Sequence, residues 1–225
     1  MTSVRVLTYN VLGGKAKVAL RSVVRAINAD VMVANESPQM PLLWRWQCPS
    51  LARQWDLQHV AGGRNAGRNM ICAQHHIGVA DTSVQRIKQS ALHPIRGVVA
   101  AQLQADSHRF GVVGCHLGLD PDARESQVEQ VLRAADLLQG PVVVAGDLNE
   151  PPKGPSWEAF RAAGFADHGD AEDFTFPAEH PTKRIDALLV RGDVRVSRHR
   201  IPGIQPELLR LASDHLPVVA TLTWP

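Results

Sequence analysis

The amino-acid sequence predicts a layered α/β (or α+β) domain in which helices cover the outer faces of two sheets. Short apolar runs typical of buried strands recur along the chain, and amphipathic helical patterns lie between some of them. The 225 residues, 44% hydrophobic and 20% charged, suit one globular domain spanning residues 1–225. No linker, low-complexity tract or internal repeat divides the chain.

Eight runs of strand type define the predicted sheets. They are VRVLTY (4–9), VMVA (31–34), NMICA (69–73), RGVVAAQL (96–103), FGVVGCH (110–116), PVVVAG (141–146), RIDALLV (184–190) and LPVVATL (216–222). Several are continuous apolar blocks, a pattern typical of strands covered on both faces. We therefore expect sheets that lie inside other layers.

Helical periodicity is present in three segments, residues 15–28, 124–138 and 155–164. In the first, Val18, Val23 and Ile27 are among the residues that fall near one face. The third opens with a proline, which a first helical turn tolerates, and ends at Gly164.

Two further segments suggest a border to a cleft. Residues 38–60 hold three tryptophans but also Pro41 and Pro49, which interrupt a long helix. A short helix that packs tryptophan into the core is one interpretation, and a lip that stacks on bases or contacts lipid is the other. The segment 201–212, just before Ser213, is expected to form one lip of the cleft, and its leucines favour either core packing or an apolar substrate group.

The composition also bears on location and partners. No apolar run approaches the roughly 18 residues of a membrane helix, and the N-terminus has a strand pattern without a signal-peptide core. The three cysteines, Cys48, Cys72 and Cys115, lack metal-type spacing, which favours a reduced, cytoplasmic protein. We expect a monomer without a membrane span.

Charge is unevenly distributed although the net charge is only +2. Residues 120–179 carry 4 basic and 13 acidic groups, whereas the segments on either side are basic. Only Asp147 of those acidic residues follows an apolar strand, so most of the block is interpreted as solvated surface. The basic flanks agree with a polyanionic substrate.

Polar side chains interrupt the apolar strands at their ends. They are Asn10, Glu36, His116, Asp147, Asn149, Asp186, Asp214 and His215. Each alone is typical of a turn, a cap or a core histidine. Because a strand end is a rigid mount, the set together predicts groups that converge on one reacting atom.

This set of side chains indicates phosphoryl chemistry. Carboxylates such as Glu36 are hard oxygen ligands that suit Mg²⁺ or Mn²⁺. The sequence has no closely spaced His/Cys set for a structural zinc, and no P-loop. His116 and His215 can transfer protons or bind phosphoryl oxygens, while Asn10 and Asn149 add neutral donors. These groups suit in-line attack of water on phosphorus.

The motifs LTYNV (7–11), NES (35–37), CHL (115–117), AGDLNEPP (145–152), RIDALLV (184–190) and SDHLPVVATL (213–222) resemble, in order, those of the endonuclease/exonuclease/phosphatase superfamily. The resemblance spans nearly the whole chain. It implies the DNase-I-like fold, a four-layered α/β/β/α sandwich with the site where loops of both sheets meet at one edge.

The resemblance also implies roles for the metal-binding residues. By matching position, Glu36 would be the principal Mg²⁺ (or Mn²⁺) ligand, with Asn10 close by and Asp214 at the metal. Asp147 and Asn149 would position the attacking water and the phosphate oxygens.

The two histidines would complete this site. Asp186 would pair with His215, which acts as general base or phosphate stabiliser. His116 would contact the phosphate or protonate the leaving group. Which histidine is acid and which is base stays open.

Departures from the family pattern bear on the substrate. Asn35 stands where the family usually has glutamine before its metal-binding glutamate. The only tyrosine, Tyr9, lies in the first strand, so the site tyrosine of abasic-site endonucleases has no candidate. Those enzymes generally also lack the histidine found here at 116. The short chain leaves little room for long recognition loops.

Four residues are candidates for substrate binding. Arg68 lies in the glycine-rich stretch AGGRNAGRNM, and Asn69 begins the next strand. Arg96 precedes VVAAQL, and Arg184 precedes Ile185 and Asp186. Ordinary structural roles are the alternative for each.

We therefore expect a Mg²⁺- or Mn²⁺-dependent phosphodiesterase, a nuclease that acts on nucleic acid. The alternative is a phosphatase or phosphodiesterase acting on a phospholipid, inositol phosphate or other small phosphorylated molecule. A scaffold that retains the fold without turnover is the third hypothesis, although none of the key polar positions is lost.

Overall fold

Two six-stranded sheets and five α-helices make up the computed structural model, which describes residues 1–87, 94–197 and 200–224. The strands are β1 Ser3–Asn10, β2 Val31–Asn35, β3 Gln58–Gly63, β4 Asn69–Ala73, β5 Gly78–Arg86, β6 Gly97–Ala105, β7 His108–His116, β8 Val142–Asp147, β9 Ala166–Asp167, β10 Asp186–Arg191, β11 Arg195–Val196 and β12 Val218–Thr223. The helices are α1 Lys17–Ile27, α2 Trp44–Gln54, α3 Pro121–Asp136, α4 Pro155–Ala162 and α5 Pro206–Ala212.

The strand order of each sheet places strands that are buried along most of their length in the middle. The first sheet runs β11-β12-β1-β2-β4-β3 and the second β5-β6-β7-β8-β10-β9. The central pairs β1–β2 and β7–β8 are parallel, and the other pairs are antiparallel.

The two sheets pack face to face, which confirms the predicted four-layered α/β/β/α sandwich. Val6 and Val33 from the first sheet share one core with Val112 and Val143 from the second. Helices α1, α2 and α5 cover the outside of the first sheet, and α3 and α4 cover the second. Because both faces of each central strand are covered, the apolar runs are continuous rather than alternating.

Helix α1 differs in its buried face from the sequence prediction. Leu20, Val23, Val24 and Ile27 face the sheet, whereas Val18 is 73% exposed. Val18 lies in the first turn of α1, away from the stripe that contacts the first sheet. The prediction for Val18 was therefore wrong.

Helix α2 forms although Pro49 lies inside it. Trp44 packs against the outer core of the first sheet, and Trp55, just after the helix, is buried there. Trp46, in contrast, is 78% exposed. The segment therefore packs two tryptophans inward, as one interpretation expected, and leaves the third on the surface.

The strand pattern missed β5, which is exposed along its whole length at the edge of the second sheet. The sequence of β5 has no apolar run because its side chains are exposed and the other layers cover this edge strand only weakly. None of the described helices is long and apolar enough to cross a membrane.

The two sheets approach each other closely at Gly114, and this close packing leads to a first prediction. A Cβ at Gly114 would lie 2.8 Å from Val33 Cγ1 and 2.9 Å from Val99 Cγ1. We expect Gly114→Ala to lower the free energy of unfolding by about 1–3 kcal/mol through overpacking, measured by urea denaturation. Gly203→Ala is the control, since nothing lies within 4 Å of its Cβ, and it should change stability by less than about 0.5 kcal/mol. Equal stability of the two variants would contradict close packing at Gly114.

Candidate active site between the two sheets

One imidazole and two carboxylates, those of His116, Asp147 and Asp186, form one row across the second sheet. His116 is the register partner of Asp147 on β8, and Asp147 is the partner of Asp186 on β10. In each strand these residues continue the alternation that turns Val112, Val143 and the other inner residues toward the first sheet. The row is therefore buried between the sheets at one end of the sandwich.

A facing row of carboxamides comes from the first sheet. Asn10 and Asn35 are register partners at the ends of β1 and β2. Asn69, at the start of β4, accepts a hydrogen bond from Asn35 Nδ2 at 2.8 Å. All three side chains are buried.

Asn35 and Asn69 join the two sheets, and we call this pair the carboxamide clamp. Besides its bond to Asn69, Asn35 Nδ2 donates to the carbonyl of Cys115 at 2.8 Å. Asn69 Nδ2 donates to the carbonyls of Ala66 at 2.9 Å and Gly97 at 2.8 Å. Cys115 and Gly97 belong to the second sheet. The clamp therefore fixes the separation of the sheets beside the candidate site.

Asp147 is the point on which both histidines converge. Its Oδ2 lies 3.4 Å from His116 Nε2 and 3.7 Å from His215 Nε2, while its Oδ1 accepts a bond from the Asn149 amide at 2.9 Å. Asp147, His116 and His215 are each at most 5% exposed.

His215 is oriented by several neighbours. Its Nδ1 lies 2.9 Å from Asp186 Oδ2, the pairing that the sequence predicted. The Phe176 ring packs on the imidazole with centroids 4.7 Å apart. Ser213 Oγ donates to the Asn10 carbonyl and accepts from the His215 amide. The ring is held with Nε2 directed at Asp147.

Sequence reasoning missed three of the supporting residues. Thr175 Oγ1 accepts from the amides of Ile185 and Asp186, each at 3.3 Å, and its neighbour Phe176 packs on His215. Ser213 links β1 to the loop before β12. Thr175 and Phe176 lie outside any apolar run, so no periodicity drew attention to them, whereas Ser213 was inside a recognised motif.

Glu36 lies at the mouth of the site, with its side chain 26% exposed. Within the described part of the chain its carboxylate receives only long contacts, from Asn10 Nδ2 at 3.4 Å and Arg68 Nη1 at 3.5 Å. Its backbone adopts φ of +54°, an uncommon conformation for glutamate. The Arg68 side chain also donates to the carbonyls of Glu36 and Ser37. Arg68 thus holds the Glu36 turn and leaves carboxylate lone pairs free.

A buried ion pair supports the loop that carries Asn149. Asn149 has φ of +51°, and its Nδ2 donates to the Leu117 carbonyl. The next residue, Glu150, accepts from Arg124 Nη2 at 2.8 Å and from the Ser156 amide. Arg124 in turn donates to carbonyls just after His116, at residues 118 and 119. The pair couples the loops that follow β7 and β8.

The charges of the site shift the pKa values of its groups in different directions. Burial, with a further contribution from Asp186, raises the pKa of Asp147 to about 7, against the opposing effects of His215, the Asn149 amide and Arg96. Burial and then the positive charges of Arg96 and His215 lower the pKa of His116 well below its usual range.

His215 is shifted the other way. Burial lowers its pKa, but the charge of Asp186, the hydrogen bond to it and the charge of Asp147 outweigh burial and raise the pKa to about 9. At neutral pH the site therefore contains one charged and one neutral imidazole.

Two of the four expected substrate-binding residues are internal. Asn69 is fully buried, and its amide is committed to the carboxamide clamp. Arg184 is 2% exposed, pairs with Asp167 through two bonds of 2.6 and 2.9 Å, and lies over the Trp157 ring. A phosphate could reach either only by displacing these internal partners.

Arg96 and Arg68 remain available at the mouth. Arg96 is half-buried, its pKa is lowered by burial, and it is in electrostatic contact with Asp147, Glu36 and Arg68. Its Nε is buried without a hydrogen-bond partner among the described residues. This guanidinium can therefore bind an anion between the two sheets.

Asp214 differs from its neighbours because it is exposed. It contacts Ser213 Oγ at 3.4 Å and borders a surface groove with Leu12 and Leu211. Its assignment as a metal-site residue stays a prediction.

The donor set suits a divalent cation. Asp147, Asp186 and His215 each place a potential ligand atom within 4.8 Å of the others. Because His215 is an imidazolium at neutral pH, the carboxylates of this group are the atoms that suit a cation. Asp186 Oδ1 is buried and has no hydrogen-bond partner among the described residues, and the carboxylate of Glu36 has only long contacts. Unsatisfied carboxylate oxygens are what a hard cation such as Mg²⁺ or Mn²⁺ requires.

The model of the Endonuclease/Exonuclease/phosphatase family matches residues 7–215. No curated protein matched the sequence.

Solved structures with the same fold include three informative neighbours. An endonuclease/exonuclease/phosphatase family protein from Bacteroides thetaiotaomicron is 17% identical, with a TM-score of 0.78 over 100% of this chain and 98% of that one. A mannosyl-6-phosphatase from the same organism is 17% identical, with a TM-score of 0.76 over 98% of this chain and 100% of that one. Truncated Caenorhabditis elegans TDP2 is 18% identical, with a TM-score of 0.73 over 99% and 98%. At such identities the likeness shows the DNase-I-like fold.

The carboxamide clamp makes a second prediction. Asn35→Ala removes the donors to Asn69 Oδ1 and the Cys115 carbonyl and leaves two buried acceptors unpaired. We expect the free energy of unfolding to fall by about 2–5 kcal/mol in urea denaturation. Gln104→Ala, which removes an exposed carboxamide bonded to the Asp106 carbonyl, should cost less than about 0.5 kcal/mol. A similar small loss for Asn35→Ala would show that the clamp does not stabilise the fold.

The raised pKa of His215 makes a third prediction, for the metal-free protein in EDTA. Because folding raises this pKa from 6.5 to about 9, the imidazolium stabilises the fold fully below pH 6.5, and that contribution is lost as pH rises to about 9. We expect the wild-type protein to lose roughly 3 kcal/mol of unfolding free energy over this range, measured by urea denaturation at each pH. His215→Gln should show a flatter profile. Parallel profiles would contradict the assignment.

Proposed function

We propose that this chain, which belongs to the endonuclease/exonuclease/phosphatase family of metal-dependent hydrolytic phosphoesterases, is a divalent-metal-dependent phosphodiesterase. The observation that carries the proposal is the convergence of His116 Nε2 and His215 Nε2 on Asp147 Oδ2, with Asp186 orienting the second histidine. A water and a phosphate oxygen need such donors and acceptors within a few ångströms of one another.

The metal would be held at the mouth of the site. Glu36 supplies the carboxylate, Asn10 contacts it, and Asp214 is the further expected ligand. A bound Mg²⁺ or Mn²⁺ supplies positive charge that polarises the phosphate and stabilises the charge developing on it.

The remaining residues bind and orient the reacting groups. Asp147 Oδ2 accepts a hydrogen bond from the attacking water, and the half-exposed Asn149 helps to position it. The His215 imidazolium, fixed by Asp186, donates from Nε2 to a phosphate oxygen. His116 donates from Nε2 to the phosphate, and Arg96 balances its negative charge. Water adds to phosphorus as the bond to the leaving-group oxygen breaks, so the products are a phosphomonoester and an alcohol.

Nucleic acid is the first candidate substrate. Arg68 and Arg96 provide positive charge at the mouth, and the flanking sequence is basic. Support is weaker than the sequence suggested, because Asn69 and Arg184 are internal.

A phospholipid or another small phosphorylated molecule is the second candidate. The specific observation in its favour is a group of exposed apolar side chains between residues 40 and 46, which follow Glu36 closely in the chain. Aliphatic side chains of this kind suit an apolar substrate group better than a nucleic-acid backbone.

The fourth prediction tests the reaction and its site. Glu36→Gln and His215→Asn should each lower turnover of bis(p-nitrophenyl) phosphate in Mg²⁺ or Mn²⁺ by about 10²-fold or more, and EDTA should abolish wild-type turnover. Glu129→Gln, an exposed carboxylate on α3 paired with Arg133, and His76→Asn are controls that should retain activity. Near-wild-type turnover in either site variant would reject the assignment.

A substrate panel completes this test. The wild-type enzyme is compared on p-nitrophenyl phosphate, bis(p-nitrophenyl) phosphate, plasmid, single-stranded DNA, RNA and phospholipid vesicles. Cleavage of monoesters alone would overturn the phosphodiesterase proposal. Cleavage of diesters without any nucleic acid would favour the second candidate substrate.

A further inference from the structure

Large apolar side chains are exposed on segments that lie next to the site in the chain. Leu42 is 80% exposed, Trp46 78%, Leu119 76% and Leu211 71%, and Met40 and Leu43 are at least half exposed. We call these six residues the apolar rim. The first four along the chain follow Glu36 within ten residues, Leu119 follows His116 by three, and Leu211 precedes Asp214 by three.

Two surface grooves lie beside residues of the apolar rim. One, of about 320 Å³, lies between the start of α1 and helix α2, where Trp46 faces Lys17 and Gly13. The Gly13 amide donates to the Glu36 carbonyl at 2.8 Å, so this groove opens directly beside Glu36. The other, of about 270 Å³, includes Leu211 and Asp214. Trp46 therefore lies in a groove next to the Glu36 turn, and Leu211 lies in a groove that includes Asp214.

The charges beside the part of the rim that lies between residues 40 and 46 are positive. Residues 11–29 and 37–55 contain no aspartate or glutamate. Lys15, Lys17 and Arg45 in these segments are exposed, and Arg45 lies over the Trp44 ring. The surface around the first groove thus combines exposed tryptophan and leucine with lysine and arginine. Acidic side chains adjoin the rest of the rim, with Asp120 next to Leu119 and Glu179 in the groove of Leu211.

This combination matches one kind of partner. Tryptophan and leucine enter the boundary between head groups and acyl chains, and lysine and arginine are attracted to anionic lipids, by about 1 kcal/mol for each cation near the surface. A nucleic-acid backbone attracts the same cations but gains nothing from Met40, Leu42 and Leu43.

We infer that the apolar rim docks on the surface of a bilayer that contains anionic phospholipids, with the mouth of the site facing the head groups. The inference concerns binding and does not need turnover, so it stands or falls independently of the proposed function. Docking in this orientation places the site within reach of the second candidate substrate.

The fifth prediction tests docking by co-sedimentation with vesicles. The full-length protein in EDTA is mixed with vesicles of phosphatidylcholine alone or with 30% phosphatidylglycerol, about a third of the lipid being anionic. Binding should be at least about tenfold tighter to the anionic vesicles. The triple variant Leu42→Ser, Leu43→Ser, Trp46→Ser should weaken that binding by a further factor of about ten or more.

A matched variant separates the rim from apolar surface in general. Val79→Ser, Val84→Ser and Leu137→Ser remove three exposed apolar side chains that lie outside the rim, on β5 and at the end of α3, and this variant should bind vesicles as the wild type does. Urea denaturation verifies that both variants are folded.

Three outcomes would overturn the inference. The first is no binding of the wild type to anionic vesicles, and the second is equal vesicle binding by the rim variant and the wild type. The third is that vesicle binding is absent while the wild type binds a labelled oligonucleotide tightly and the rim substitutions abolish that binding. Turnover of bis(p-nitrophenyl) phosphate by the wild type is assayed in parallel with Mg²⁺. Its absence would reject the proposed function and leave a positive vesicle result intact.

Discussion

The carboxamide clamp of Asn35 and Asn69 is the constraint on which the rest of the site depends. Four of the residues it joins are each followed or preceded in the chain by a charged or imidazole group of the site. Asn35 precedes Glu36, Asn69 follows Arg68, Gly97 follows Arg96, and Cys115 precedes His116. A carboxamide can donate two hydrogen bonds without carrying a charge, so the clamp fixes four backbone positions without disturbing the titration of the groups beside it.

The clamp also makes the electrostatics of the site possible. Two buried carboxylates, Asp147 and Asp186, are register partners on neighbouring strands. Burial, and after it the repulsion from Asp186, raises the pKa of Asp147. His215 relieves this repulsion because it lies against both carboxylates. Asp186 Oδ1 is buried and has no hydrogen-bond partner among the described residues. A cation or a water is therefore needed to satisfy it. Charges placed so closely stay in position only where the surrounding backbone cannot relax.

Backbone strain is concentrated in the same region. Glu36 and Asn149 both adopt left-handed conformations at the ends of strands from opposite sheets, which costs of order 1 kcal/mol or more each. Arg68 holds the first turn, and the Arg124–Glu150 pair holds the second. These internal partners explain why the reacting groups can be both strained and precisely oriented. The apolar rim has no such support, and it lies on turns and helix ends rather than on strands.

The strands and the faces of their side chains could be predicted from the sequence more fully than the contacts those side chains make. A strand turns alternate residues to the same face, so an apolar run that ends in Asp147 or His116 already shows which layer that side chain faces. The apolar runs therefore sufficed for the layered fold, and the motifs for the residues of the site. Val18 and β5 were misjudged or missed because their exposure depends on which neighbouring element covers them.

The sequence by itself determined the family, the four layers and the set of polar groups at the strand ends, because these follow from local periodicity and motif order. Only the tertiary structure decided what each polar group is bonded to. Arg184 and Asn69 looked free to bind substrate, but Asp167 and the clamp already occupy them. Hydrogen-bond partners are distant in the chain, and a side chain satisfied by an internal partner is no longer available to a ligand.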